Sequence, residues 1–248
     1  MSAELSDDLE RLFLPPSVLP LFGTTEWTGM TDSERVAYSR AYCAAMFATC
    51  AWLEFVIIHF LNRMSVRQNS VAVRRYLLIE AAEECRHASA FLECSEWLNP
   101  DFEGPPRWCR MLGAVLMATG TDTDAMAAAF VAEELLDEIN RRTADGEGHS
   151  VTRMISRRHV EDEARHLAFA RAFLRKAECS RLSRFRTSVR VAVNAYVIAR
   201  AIEADPVARS RVRMGSEFAA MLSCNLRASQ RFLAAAGYDG VLSRAAWT

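Results

Sequence analysis

His159-Val160-Glu161-Asp162-Glu163-Ala164-Arg165-His166 is the stretch on which the reading of this chain turns. At ~100° per residue on a helix, His159, Glu163 and His166 fall within about 60° of one another. Two imidazoles and a carboxylate on one face make half of a metal site. Glu84-Cys85-Arg86-His87 supplies the matching half, a second Glu-x-x-His pair on another apolar-patterned segment. Four-helix bundles build di-iron or di-manganese carboxylate sites from two such pairs, each joined by a Glu from a further helix. Glu54 and Glu133 are available for that role.

Each element has a plain alternative. A lone Glu-x-x-His is usually a surface coincidence, His159 could cap a helix, and Glu163 could pair with Arg157 or Arg158. The conjunction argues otherwise, because the order along the chain is Glu, Glu-x-x-His, Glu, Glu-x-x-His. Glu54 stands among Trp52, Leu53, Phe55, Val56 and Ile57, where a carboxylate is expensive unless paired or metal-bound. Glu133 is preferred to Glu134 because it shares its face with Met126, Ala129, Phe130, Leu136 and Asn140. His159, one turn before Glu163, adds a third imidazole. Glu80 is placed either as a further ligand or, the preferred reading, to support a ligand imidazole, as are Asp162 and Asn140. His59 and His149 have no such spacing and are expected to be structural or exposed. Carboxylate and imidazole donors suit iron with positions left open for O₂, and manganese satisfies the same set.

Outward from these residues the chain reads as helices. Residues 1 to 30, with Pro15-Pro16, Pro20, Gly23 and Gly29, form an irregular lead-in expected to wrap the bundle. Thr31 or Asp32 caps a helix running to about Asn62, and a second covers Val71 to Leu98 before Asn99-Pro100. Arg107 to Thr119 follows, then a helix from the polar break Gly120–Asp124 to about Thr143, and another from Val151 to about Glu178. Accessory helices are expected over Leu182 to Glu203 and Pro206 to Ala236. No segment shows sustained β alternation, and no phosphate-binding glycine motif is present. The fold class is therefore all-α, a single domain over 1–248 with a metal-binding four-helix core over 31–178.

Composition narrows the function. The chain has 248 residues, 51% of them hydrophobic, and a formal net charge of −1. Its basic side is nearly all arginine scattered among acids, so a nucleic-acid surface is not indicated. Seven dispersed cysteines without a Cys-x-x-Cys read as free thiols in a reducing cytoplasm. Tyr42 to Leu61 is long and apolar enough to span a bilayer, but Glu54 and His59 near its centre favour the core helix of a bundle over a membrane segment.

The His159-x-x-Asp162-Glu163-x-x-His166 run, Glu84-x-x-His87, the Ala132-Glu133 step and the Glu54 helix resemble the di-iron N-oxygenase family typified by 4-aminobenzoate N-oxygenase. The resemblance covers about Thr31 to Arg200. It implies a ferritin-like helical bundle, two iron ions held by Glu54, Glu84, His87, Glu133, His159, Glu163 and His166, and O₂ as co-substrate. It also implies N-oxygenation of a small amine, a ferredoxin or reductase as electron donor, and a homodimer. Tyr42, Asn140 and Tyr196 are apolar-flanked polar residues expected either at a substrate pocket or as satisfied core groups. A di-iron C–H hydroxylase and a ferritin-type iron-binding protein remain the alternative functions.

Overall fold

Thr31 begins the first long helix with a reciprocal cap. Glu34 N–H donates to Thr31 Oγ1 at 3.3 Å, and Thr31 N–H donates to Glu34 Oε2 at 2.7 Å. The structure, a computed structural model, describes residues 10–99, 104–202 and 214–238. Its helices are α1 (Thr25–Gly29), α2 (Asp32–Arg67), α3 (Val71–Leu98), α4 (Arg107–Thr119), α5 (Asp122–Asp145), α6 (Ser150–Lys176), α7 (Arg181–Ile202) and α8 (Ser216–Ala235). No strand occurs among the described residues. The architecture is an all-α, ferritin-like bundle.

The expected boundaries hold to within a few residues, with three differences. The first long helix continues past Asn62 to Arg67, because Met64 and Ser65 are still buried and pull the last turn onto the core. The lead-in is only partly irregular, containing a 3-10 turn at Pro16–Val18 and the short α1. The last helix, expected from Pro206, starts only at Ser216, because Gly215 is extended and serves as its N-cap; residues 1–9 of the lead-in, and Pro206 itself, lie outside the described residues.

Two antiparallel hairpins, α2–α3 and α5–α6, form the four-helix core. At one end Arg40 Nε donates to Leu98 O at 3.0 Å, so α3 finishes beside the start of α2. At the other, Arg63 and Arg67 both reach Asp122 Oδ1, at 3.1 and 3.2 Å, so α5 starts beside the end of α2. The crossover helix α4, about 20 Å long at 1.5 Å per residue, covers part of the roughly 35 Å between those ends. It runs close against α2. A Cβ at Gly113 would stand 2.4 Å from Trp52 Cζ2, so only glycine allows this approach. Helices α7 and α8 cover α5 from outside.

The lead-in is bound, not merely draped. Phe13 and Leu14 N–H both donate to the buried Ser39 Oγ, at 2.8 and 3.1 Å. Thr152 Oγ1 donates to Phe13 O at 2.6 Å, tying the lead-in to α6. Helix α2 is apolar enough to cross a membrane, but 78% of its most apolar window is buried inside the protein, as befits the central helix of a core.

Two apolar clusters fill the bundle. One contains Phe47, Phe91, Leu135 and Ile139; the other contains Ile57, Leu61, Met64, Phe130 and Leu167. Between them, at mid-height on all four core helices, lies a polar layer.

Candidate metal centre

Each core helix delivers its acidic residue to that layer. Glu54 (α2), Glu84 (α3), Glu133 (α5) and Glu163 (α6) are all buried, as are His87 (α3) and His159 and His166 (α6). The seven residues picked out by spacing are thus brought together. Donor atoms converge in overlapping trios within 4.8 Å, among them Glu54–His87–His159, Glu84–His87–Glu163, Glu133–His159–Glu163 and Glu54–Glu84–Glu133. Glu134, the competing acid, sits outside the layer and pairs with Arg171.

The imidazoles aim different nitrogens inward. His87 Nδ1 is 2.9 Å from Glu84 Oε2 and 3.7 Å from Glu163 Oε1, while its Nε2 faces Asp162 Oδ2 at 3.2 Å. His166 Nδ1 is 2.8 Å from Glu84 Oε1 and 3.2 Å from Glu163 Oε1. Its Nε2 faces Glu80 Oε2 at 2.7 Å and Glu83 Oε2 at 3.0 Å. His159 is reversed, with Nε2 at 3.3 Å from Glu54 Oε1 and 3.5 Å from Glu163 Oε1, and Nδ1 facing the Asn140 amide at 3.4 Å. The carboxylates behind His87 and His166 fix ring orientation and make each imidazole a better donor.

Glu80, Asp162 and Asn140 stand behind imidazoles, where the sequence places them. Glu83 went unrecognised. Its spacing from Arg86, with which it makes a 3.6 Å contact, reads as an ordinary surface pair. The available signal was that Glu80, Glu83 and Glu84 succeed one another at helical i, i+3 and i+4 positions. His59 is exposed, and His149 is a buried cap whose Nδ1 accepts from Val151 N–H at 3.2 Å. Tyr42 is a satisfied core group donating to Ile202 O at 2.7 Å. Tyr196 belongs to neither expected category. It is 49% exposed on α7, which packs by its opposite face.

The electrostatics are those of an overcrowded anionic layer. Burial, reinforced by Glu84, Glu133 and Glu163, pushes the Glu54 carboxyl well above the usual range. Glu133 is raised likewise, by burial and then by Glu163 and Glu84. Burial would raise Glu84 as well, but the contacts of His166 and His87 outweigh it and hold that carboxyl low. Burial alone would lower His87 and His166; the facing carboxylates reverse this and raise both. His159 is pushed down, chiefly by burial, and is the neutral imidazole of the three.

Hydrogen bonding leaves the layer incomplete. Glu54 Oε2 and both oxygens of Glu133 and of Glu163 are buried without an aligned hydrogen bond among the described residues. Buried oxygens of this kind are costly unless a cation meets them. An imidazole with carboxylates at both nitrogens must carry two protons or give one up to a metal. The donor set, four carboxylates and three imidazoles around one centre, fits a pair of divalent ions.

Among the described residues, two cavities flank the layer. One, of about 480 Å³, is lined by residues of all four core helices, with Glu84, Glu133 and His166 on its layer side. The other, of about 800 Å³, is a cleft between α3 and α6 behind His87 and His159, with Arg86 and Arg158 in its wall.

The chain belongs to the family described as p-aminobenzoate N-oxygenase AurF, which it matches over residues 2–240. That is a family of di-iron enzymes, and the buried Glu and His groups here could hold metal. The chain is also 27% identical over 191 residues to uncharacterized protein Mb0909 of Mycobacterium bovis, and equally to uncharacterized protein Rv0885 of Mycobacterium tuberculosis. Those alignments cover 70% of this chain and 56% of each relative, so the chain spans about half the length of the curated relatives it matches.

Proposed function

We propose that the protein is a cytoplasmic di-iron oxygenase that transfers oxygen from O₂ to the nitrogen of a small amine. The observation that carries this reading is the buried layer of four glutamates and three histidines with orphaned oxygens, in a chain of this family. Glu54, Glu84, His87, Glu133, His159, Glu163 and His166 would hold the metals, with Glu84 and Glu163 central because each approaches two or more of the imidazoles. Two bound irons would supply the site at which O₂ is reduced.

The protein's own part is to place and protect. Asp162, Glu80 and Glu83 hold His87 and His166 in their rotamers. The apolar clusters above and below the layer limit water and shield the oxidant from side reactions. In the first oxygenation an N–H becomes N–OH. One O₂ oxygen enters the product and the other leaves as water, consuming two electrons from a ferredoxin or reductase and two protons from solvent. Further rounds would give nitroso and nitro products.

Metal content per chain together with product analysis tests the reading. Near two irons per chain, and N–O bonds in the products of supplied amines by mass and NMR, are expected. Exclusive C–O products would make the protein a hydroxylase instead. Failure to retain iron after anaerobic loading would remove the oxygenase reading.

A further inference from the structure

The cavity of about 480 Å³ beside the layer has a wall of unusual uniformity. Apart from Glu80 and the layer residues Glu84, Glu133 and His166, every residue lining it is aliphatic, aromatic or methionine, with Leu61, Met64, Met126, Phe130 and Phe169 among them. No arginine or lysine among the described residues lines it. The guanidiniums near its aromatic wall are engaged elsewhere. Arg63 lies over the Phe60 ring at 4.6 Å and pairs with Asp122. Arg171 lies over Phe130 at 5.5 Å and pairs with Glu134.

We propose that this cavity is the substrate site and that it takes a neutral arylamine bearing no acidic group; the proposal rests on the oxygenase reading above. The amine nitrogen meets the layer at Glu84, Glu133 and His166, and the ring lies against Phe60, Phe130 and Phe169. An acidic group would be buried without a cation and would face three carboxylates. An alkylamine arrives protonated at neutral pH and has no lone pair to oxygenate, whereas an aniline is neutral. The α3–α6 cleft is the poorer candidate although Arg86 and Arg158 would suit an anion. None of the four layer glutamates lines it, and its imidazoles are reached from behind.

Calorimetric titration of the metal-loaded protein, without reductant, by aniline and by 4-aminobenzoate tests this. Aniline is expected to bind at least ~100-fold more tightly than 4-aminobenzoate, the acid losing its hydration to a cation-free wall. Ala170→Phe, which fills the cavity one turn beyond His166, is expected to weaken aniline at least tenfold. Ala90→Phe, in the α3–α6 cleft, is expected to leave it unchanged. Comparable binding of the two ligands, binding of neither, or loss of aniline through Ala90→Phe alone overturns the proposal. If Ala170→Phe does not fold, the ratio measured on the unaltered protein decides. Metal content, measured on the same samples, separates the two readings. Absent metal with intact, Ala170-dependent aniline binding sinks the oxygenase reading, and full metal with Ala170-independent binding sinks this one.

Discussion

Replacing Glu133 by Gln is expected to stabilise the metal-free protein at pH 7 while crippling the loaded one. Glu133 is 4% exposed, neither of its oxygens has an aligned hydrogen bond among the described residues, and burial with the Glu163 and Glu84 charges raises its pKa well above 4.5. A carboxyl raised on folding stabilises the fold below its ordinary value, and that contribution is lost as pH rises. Since pH 7 lies 2.5 units above the ordinary 4.5, burying this acid costs at most about 3 kcal/mol there, at ~1.4 kcal/mol per unit. Gln has nearly the same shape and no proton to acquire. The metal-free variant should therefore melt higher at pH 7, by up to roughly 12 °C, taking 2–4 °C per kcal/mol for a chain of this size. At pH 5 the advantage should shrink to below about 1 kcal/mol. In the loaded protein the same change removes a ligand and the advantage disappears. Melting by circular dichroism, in chelator and in excess metal at both pH values, provides the measurement. A metal-free variant that melts no higher at pH 7, or that gains equally at both pH values, would refute the argument that Glu133 is an uncompensated buried acid.

Three further outcomes follow from the geometry. Glu80→Gln alone should barely alter metal affinity, because Glu83 faces the same His166 Nε2 at 3.0 Å, whereas the double change to Gln should weaken it ~10–100-fold; chelator competition measures both, and equal single and double effects would contradict the shared support. Ser39→Ala strands the Phe13 and Leu14 N–H groups and should cost about 1–3 kcal/mol in denaturant unfolding, an unchanged midpoint meaning that the lead-in is not anchored there. Cys85 and Cys224 are exposed and should react quickly with a thiol reagent, while Cys43, Cys50, Cys94 and Cys109, buried and with thiol pKa values raised by burial, should react only on unfolding. Mass spectrometry after brief labelling locates the modified thiols.

Much of the layer was legible because its residues obey local periodicity. His159, Glu163 and His166 share a face through the 3.6-residue turn alone, and a carboxylate at Glu54, amid an apolar run, announced its own burial. Choosing Glu133 over Glu134 needed only the apolar character of its face, and in the structure Glu134 pairs outside the layer with Arg171. Glu83 was missed because its local partner, Arg86, supplies a sufficient surface explanation, while its contact with His166 comes from another hairpin. Tyr196 misled for the converse reason. Apolar neighbours in sequence do not say which face of an outer helix is covered.

By itself, then, the sequence determined the helices, their caps and the identity of the acids and imidazoles that each core helix turns inward. These depend on interactions spanning a few residues, which spacing records. Only the tertiary structure decided which nitrogen of each histidine faces the centre, which carboxylates stand behind it, and where empty space remains. The apolar cavity is bounded by side chains from four helices, Ile57 to Ala170 in sequence, and exists because of the volume they leave unfilled. No local pattern encodes a void, since its size is a difference between the space enclosed by the packed helices and the side chains that occupy it.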